Sequence, residues 1–434
     1  MKSVLRVACV IGVAMLAGSC ADATESAPIV VPPPPASVTI APASPSVTVG
    51  HSVALTGVAL DSLGIPMGAN VITWSSSSDA TATVSPTGLA TGVAAGTVTI
   101  TASSNGTNGT ATLTVTPIIP LIAISAGNNQ SAQSGIAVSI KPAVLVTDQL
   151  GSPMPGTVVT FTVLSGGGKV QNSAVTSQAV QVTTNLSGIA TLTNFFVGPL
   201  VGQNAFSADA PGATGSPLTF TETTLPGPAD HMVFVTLPST TAQSGVVLAT
   251  QPAVLIADAA GNAVTTAGVL IQALTTNGLG STAGNVFATT TAAGIATFSG
   301  LIINGVVGSY PLQFAATGLP TLTTAPSVTL SAGPPASVTI LQQPPANATS
   351  GVNFTAAPIV RVSDSGNNNL SGQQVVVSIQ SGTGTLGGTL TVTTNASGQA
   401  TFNGLSITGT AGSFRLRFTT ATVGATSSTV VLAP

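Results

Sequence analysis

The sequence predicts an all-β chain of four tandem β-sandwich domains, set behind a signal peptide and a proline-rich tether. Three observations carry that reading. The first is a repeat of domain length. Gln133-Ser134-Gly135, the Asp148-x-x-Gly151 turn and Gly188-Ile189-Ala190-Thr191 return as Gln243-Ser244-Gly245, Asp258-x-x-Gly261 and Gly294-Ile295-Ala296-Thr297. They return again as Thr349-Ser350-Gly351, Asp364 with Gly366, and Gly398-Gln399-Ala400-Thr401. The early glycine and the Asp step by 110 and then 106 residues, the late glycine by 106 and then 104. A period of that size marks repeated domains, not a solenoid of ~20–50-residue units.

The second observation is an apolar period of two. Val98-Thr99-Ile100-Thr101, Val159-Thr160-Phe161-Thr162-Val163 and Phe414-Arg415-Leu416-Arg417-Phe418 each put apolar residues on one face of a strand and polar ones on the other. Many such short strands, broken by Gly, Asn, Asp and Pro turns in units of ~100 residues, describe sandwiches. The third is composition. The chain is 44% hydrophobic but only 4% charged, against roughly 25% charged in an ordinary globular protein. Thr, Ser, Gly and Val stand in for the missing Lys and Glu, and few of these favour a helix.

Taken in order, the chain opens on an export signal. Lys2 and Arg6 form its positive end, and Val7 to Gly18 form an apolar core too short to span a bilayer comfortably. Leu16-Ala17-Gly18-Ser19-Cys20 resembles a bacterial lipoprotein signal, a resemblance that implies cleavage before Cys20 and lipidation of Cys20. The competing reading is cleavage after Ala21-Asp22-Ala23, which would discard Cys20. Both cysteines, Cys9 and Cys20, lie in or at the end of this segment, so the mature chain is expected to hold no disulfide. Loss of Lys2 and Arg6 leaves five basic residues against ten acidic ones. That field attracts neither nucleic acid nor an acidic lipid surface, so no nucleic-acid partner is expected. Beyond the signal no run of 18 apolar residues is uninterrupted, and no internal membrane helix is expected.

A signal peptide at 1–19 is followed by a tether at 20–36, where Pro32-Pro33-Pro34-Pro35 favours a stiff polyproline II spacer. Pro117 and Pro120, Pro226-Gly227-Pro228 and Gly333-Pro334-Pro335 then divide the body into domains at 37–117, 118–227, 228–334 and 335–434. Pro35-Ala36-Ser37-Val38-Thr39-Ile40 recurs unchanged at residues 335–340, so the first and last domains open on the same proline-led strand. Few contacts are expected to cross such seams.

The first domain carries Val47-Thr48-Val49-Gly50, Val71-Ile72-Thr73-Trp74-Ser75, Ala82-Thr83-Val84-Ser85 and Gly88-Leu89-Ala90-Thr91-Gly92, closing on Gly96-Thr97-Val98-Thr99-Ile100-Thr101. That order and spacing over residues 38–117 resembles the group-2 bacterial immunoglobulin-like domain. The next three, with their strand-Asp turn (Asp-x-x-Gly at Asp148 and Asp258, Asp-Ser-Gly at Asp364) and late Gly-x-Ala-Thr, are similar to the group-1 type of invasin- and intimin-like surface proteins. The resemblance implies immunoglobulin-like sandwiches, surface exposure and, in some members, adhesion.

Candidate chemistry is sparse. Asp148, Asp258 and Asp364 recur once per repeat, but a calcium site wants six or more oxygen ligands. Each stands nearly alone, so each is read as a side-chain cap on the turn before Gly151, Gly261 or Gly366. Trp74 shares strand parity with Ile72 and is read as core rather than as a sugar platform. His51 and His231 sit in different domains without metal-ligand neighbours. Gly166-Gly167-Gly168-Lys169 lacks phosphate-loop spacing and is read as a flexible hairpin, and Arg415 and Arg417 as a solvated strand face. No nucleophile elbow or acid pair is present, so the sequence predicts no enzyme and no cofactor. The expected protein is a spacer or adhesive stalk of the cell envelope, lipid-anchored to a membrane through Cys20, at the outer membrane or cell surface and otherwise secreted. The alternative is a surface protein that binds a glycan, a polymer or another cell-surface protein through loops of its last domain.

Overall fold

The computed structural model describes residues 33–434 apart from Ala69. The signal peptide, Cys9, Cys20 and the tether as far as Pro32 lie outside the described residues. No α-helix occurs among the described residues; accordingly none holds a helix long and apolar enough to cross a membrane. Every sheet draws its strands from one of four stretches, 37–116, 121–225, 231–331 or 337–433, and these are the four domains. The chain forms two compact units, Met1–Ile119 and Pro120–Pro434.

In the first unit a four-stranded sheet is built around the hairpin Gly96–Ser104 and Thr107–Thr116. Asn105 and Gly106, both at positive φ, turn it and fix its register from Gly96↔Val115 to Ser104↔Thr107. Alternation then turns Val98, Ile100, Ala102, Ala111, Leu113 and Val115 inward as the core. Trp74 and Ile72 pack against this core from one side and are half-buried rather than enclosed. The indole lies over Gly57 and Gly88, where a Cβ would strike the ring. The domain also begins ahead of residue 37: Pro35 is buried, the Ala36 N–H donates to Leu60 O at 2.8 Å, and Thr107 Oγ1 donates to Pro35 O at 2.8 Å.

The three domains of Pro120–Pro434 repeat one plan. In the second domain Leu121–Ala126, Ala143–Thr147 and Ile189–Thr191 form one sheet. A five-stranded sheet runs Ser131–Gln133, Leu218–Leu225, Gly202–Asp209, Val158–Ser165, Ala179–Thr183. Their inner faces meet in one core around Phe161, Phe195, Phe206 and Phe220, all fully buried. Phe206 stacks on Phe195 at 4.3 Å and on Phe220 at 4.7 Å. Equivalent cores in the other two domains centre on Phe298, Tyr310 and Phe314, and on Phe402, Phe414 and Phe418. The late Gly-x-Ala-Thr has a shared cause. Gly188, Gly294 and Gly398 all take positive φ, and a Cβ there would run into the backbone carbonyls of Val146, Val264 and Val362. The alanines two residues on, Ala190, Ala296 and Ala400, are fully buried.

In all four domains a short second strand pairs in parallel with the last strand. Ser46–Thr48 lies beside Thr107–Thr116, Ser131–Gln133 beside Leu218–Leu225, Thr241–Gln243 beside Val328–Ser331, and Asn347–Thr349 beside Val430–Ala433. One expectation is corrected. Gly166-Gly167-Gly168 does not close a hairpin, because Val158–Ser165 belongs to the five-stranded sheet while Lys169–Asn172 pairs with Val175–Ser177 and Asn194–Phe196. The glycines carry the chain from one sheet to the other.

Candidate functional site at the domain seams

The recurring Asp is a turn cap in every domain. Asp148 Oδ1 accepts the N–H groups of Leu150 (2.9 Å) and Ser152 (2.8 Å); Asp258 Oδ1 those of Ala260 (3.0 Å) and Asn262 (2.8 Å); Asp364 Oδ1 those of Gly366 (2.9 Å) and Asn368 (2.8 Å). Asp61 does the same in the first domain with Leu63 and Ile65, both at 2.9 Å. Sequence reading passed over Asp61, although its spacing to Gly64 and Pro66 repeats that of Asp148 to Gly151 and Pro153.

In the third and fourth domains the second carboxylate oxygen binds the linker. Asp258 Oδ2 accepts from the backbone N–H of Gly227 in the linker (2.7 Å) and from Asn262 Nδ2 (2.9 Å). The Asn262 carboxamide then reaches into the second domain, donating to Pro199 O at 2.7 Å and accepting from Val201 N at 2.9 Å. The next seam copies this atom for atom. Asp364 Oδ2 accepts from Gly333 N (2.7 Å) and Asn368 Nδ2 (2.9 Å), while Asn368 donates to Gly305 O (2.9 Å) and accepts from Val307 N (2.8 Å). The carboxylate aims the carboxamide, and the carboxamide pairs with the neighbouring domain as a strand would.

The second seam is also tighter. Ser365 Oγ donates to Asn304 Oδ1 at 2.8 Å, and a Cβ on Gly366 would run into Gly305 O and Ser244 Oγ. Ala260 occupies the corresponding place in the third domain. The expectation that few contacts cross the proline-rich seams therefore fails at Gly227 and Gly333, because the linker itself is hydrogen-bonded to the carboxylate. Asn262 and Asn368 were missed; their signal was an Asn four residues after the Asp, present in two repeats and replaced by Ser152 in the other.

Burial works to raise the Asp258 carboxyl. The side-chain bond from Asn262 and the N–H groups of Gly227, Asn262 and Ala260 outweigh it and hold the group below its ordinary value of 3.8. Both oxygens already accept N–H donors, the reverse of what a cation requires. Among the described residues no three His, Cys, Asp or Glu side chains lie together. His231 pairs only with its neighbour Asp230, at 2.9 Å on the surface, and His51 Nδ1 lies 3.4 Å from Val49 O. Arg415 and Arg417 are exposed on their strand, as expected.

One buried acid was also missed. Glu222 follows the inward parity of Phe220 and is 1% exposed. Its Oε2 accepts from Gln130 N, at 2.6 Å, and its Oε1 has no hydrogen-bond partner among the described residues. Burial pushes its carboxyl up to about 7, against the lowering effect of the Gln130 bond.

Sheet layering and chain order define the class: tandem immunoglobulin-like β-sandwiches whose seams are bonded across Pro120–Pro434. Residues 35–115 match the family model of the bacterial Ig-like domain (group 2), in agreement with the resemblance over 38–117. Residues 333–431 match the SMCHD1 Ig-like domain 6 model, a different Ig-like type from the group-1 resemblance read there. Among solved structures the chain is similar to the Escherichia coli adhesin FdeC, at 16% identity over 74% of this chain and 99% of that one, with a TM-score of 0.36. It is similar to invasin, described as a bacterial integrin-binding protein, at 11% identity over 91% of this chain and 79% of that one, with a TM-score of 0.39. It is also similar to domains 4 and 5 of the S-layer protein SbsC, at 19% identity over 40% and 81%, with a TM-score of 0.26. No curated protein matches the chain in sequence.

Proposed function

We propose that this chain is an exported, non-enzymatic spacer or adhesive stalk of the cell envelope, tied to a membrane by a lipid on Cys20. The observation that carries the proposal is the carboxylate–carboxamide clamp repeated at both seams of Pro120–Pro434. Neighbouring domains ordinarily move relative to one another. A stalk must suppress that motion, and a buried Asp–Asn pair that grips both the linker and the preceding domain does so at the two seams of Pro120–Pro434. The recurring acids of the third and fourth domains are committed to this clamp rather than converging on a pocket. The glycan-binding alternative lacks a tyrosine platform, since the one Tyr in the chain, Tyr310, is fully buried and donates to Val306 O at 2.7 Å.

The double variant Asn262→Ala/Asn368→Ala tests the reading in the full chain. Small-angle scattering should show a shorter maximum dimension and a broader distribution of shapes, with the β-type circular dichroism retained. An unchanged scattering profile refutes the stalk. Cys20→Ala should in addition move the protein from the membrane fraction to the soluble one, and identical fractionation refutes the anchor.

A further inference from the structure

Each seam asparagine reads the same two backbone groups on the domain before it: a carbonyl and the N–H two residues on. These are Pro199 O with Val201 N, then Gly305 O with Val307 N. The repeat sets out a third such pair in the last domain. The register Gly280↔Gly305 recurs as Gly384↔Gly409. Gly305 N donates to Ser244 Oγ at 3.2 Å, and Gly409 N donates to Ser350 Oγ at the same 3.2 Å. Gly409 O and Ala411 N therefore hold the places of Gly305 O and Val307 N. Gly409 is half-buried, Ala411 is exposed, and among the described residues no following domain covers them.

We propose that this end of the last domain is a docking socket, and that it fits a further immunoglobulin-like domain presenting an Asp-x-x-x-Asn turn behind a Gly-Pro linker. The inference rests on the clamp reading of the two seams. Ser350 Oγ already donates to Gly409 O at 3.1 Å, but this does not close the socket. Pro199 O accepts Ser134 Oγ and Asn262 Nδ2 together, both at 2.7 Å, using its two lone pairs. The occupant is narrowed by the chain itself. The Asp turns of the first and second domains carry Ile65 and Ser152 at the fifth position, and neither side chain offers a carboxamide. The partner must be a domain of the kind that carries Asn262 or Asn368.

The test extends the full chain after Pro434 with a second copy of residues 333–434. Pro434 then takes the place of Ala332, so that Gly333 of the copy follows in register. The added copy is ligated on as 15N-labelled protein, so that its peptides separate in mass from the identical ones of the parent domain, and amide hydrogen exchange is read by mass spectrometry with residue-level fragmentation. The Ala411 amide should slow about fivefold on extension, the factor for one net hydrogen bond of ordinary strength. The slowing should vanish when Asn368 of the added copy is Ala. The Val362 amide of the added copy reports whether that copy is folded, and Val307 is the internal reference. A folded copy with Ala411 unchanged and Val307 protected overturns the socket alone. An unprotected Val307 overturns the clamp as well. Slowing that survives Asn368→Ala in the copy overturns the assignment of the carboxamide as the reading group.

Discussion

The second and third domains share a fold but fill one end of the core with opposite chemistry. Where strands Gly202–Asp209 and Leu218–Leu225 pair, Asn204 faces Glu222, and Thr224 lies two residues on. In the third domain the same register brings Tyr310 opposite Val328, with Leu330 following. The fourth domain has Phe414, Val430 and Leu432. All nine side chains are buried. Asn204 and Tyr310 nevertheless act alike. Asn204 accepts from Gly198 N at 2.8 Å and donates to Thr224 Oγ1 at 2.7 Å; Tyr310 donates its one hydroxyl proton to Val306 O at 2.7 Å, with Leu279 O at 3.0 Å as the other acceptor in reach. Each braces the short loop that meets the next domain's asparagine. Phe414 in the fourth domain has no such bond to give. What persists across the first two is a side-chain bond to that loop, supplied by a carboxamide in one and a phenol in the other.

The most severe way to break that comparison is Val328→Glu, which places the acid of the second domain in the all-apolar setting of the third. Domain three should lose about 3–5 kcal/mol at pH 8, the cost of an uncompensated buried charge. In calorimetry of the full chain its transition should drop well below the others, and a loss under about 1 kcal/mol would show that this end of the sandwich is wetter than its burial indicates.

Next in size is the pH dependence of the second domain. Glu222 has its carboxyl raised from 4.5 to about 7 in the folded chain. The folded state therefore favours the protonated acid. Its contribution is fully present below 4.5 and is lost as pH rises through about 7, an effect of up to about 3 kcal/mol. Domain two should melt higher at pH 5 than at pH 8. Glu222→Gln should flatten the profile across that window, and a wild-type profile that is already flat contradicts the buried acid.

Trp74 extends the comparison to the first unit, where the large aromatic lies over two glycines at the edge of the core instead of inside it. Trp74→Ala should cost about 2 kcal/mol, less than a fully enclosed aromatic. As the one Trp in the chain it reports its own site by fluorescence. Its emission should be moderately quenched by acrylamide, and complete protection or complete access would each contradict half-burial.

The smallest effect is acid loosening at the seam between the second and third domains. With Asp258 held below 3.8, its bonds to Gly227 and Asn262 persist above that value and are lost as pH falls through the folded one. Protection of the Gly227 amide should fade below about pH 3.8 before the cores unfold. Gly227 exchanging freely at pH 7 would refute the linker contact.

Much of this was legible in the sequence where the cause is local. Positive-φ glycines, the Asx turns and strand parity follow from chemistry within five residues, so the repeat, the all-β class and the capping Asp could be read directly. Parity named the inward face of Trp74 but not its depth, because depth depends on Gly57 and Gly88, supplied by other segments. Parity would also have flagged Glu222, which stands in line with Phe220. The Asn262 and Asn368 clamps span more than 60 residues, and only a comparison of the fifth turn position across repeats hints at them. The Gly166–Lys169 turn misled for the same reason: adjacency in sequence suggests a hairpin, whereas sheet membership is decided by distant partners.

The parallel pairing of second and last strands has a mechanical consequence. When the ends of a domain are drawn apart, tension that passes beyond the first strand pulls the second strand one way and the last strand the other, along a shared ladder such as Ser131↔Thr223 to Gln133↔Leu225. The rungs then bear load together, in shear, where an antiparallel hairpin opened at its mouth would release them one at a time. Repeated in every domain, the parallel pairing gives each sandwich a latch that resists tension as a unit.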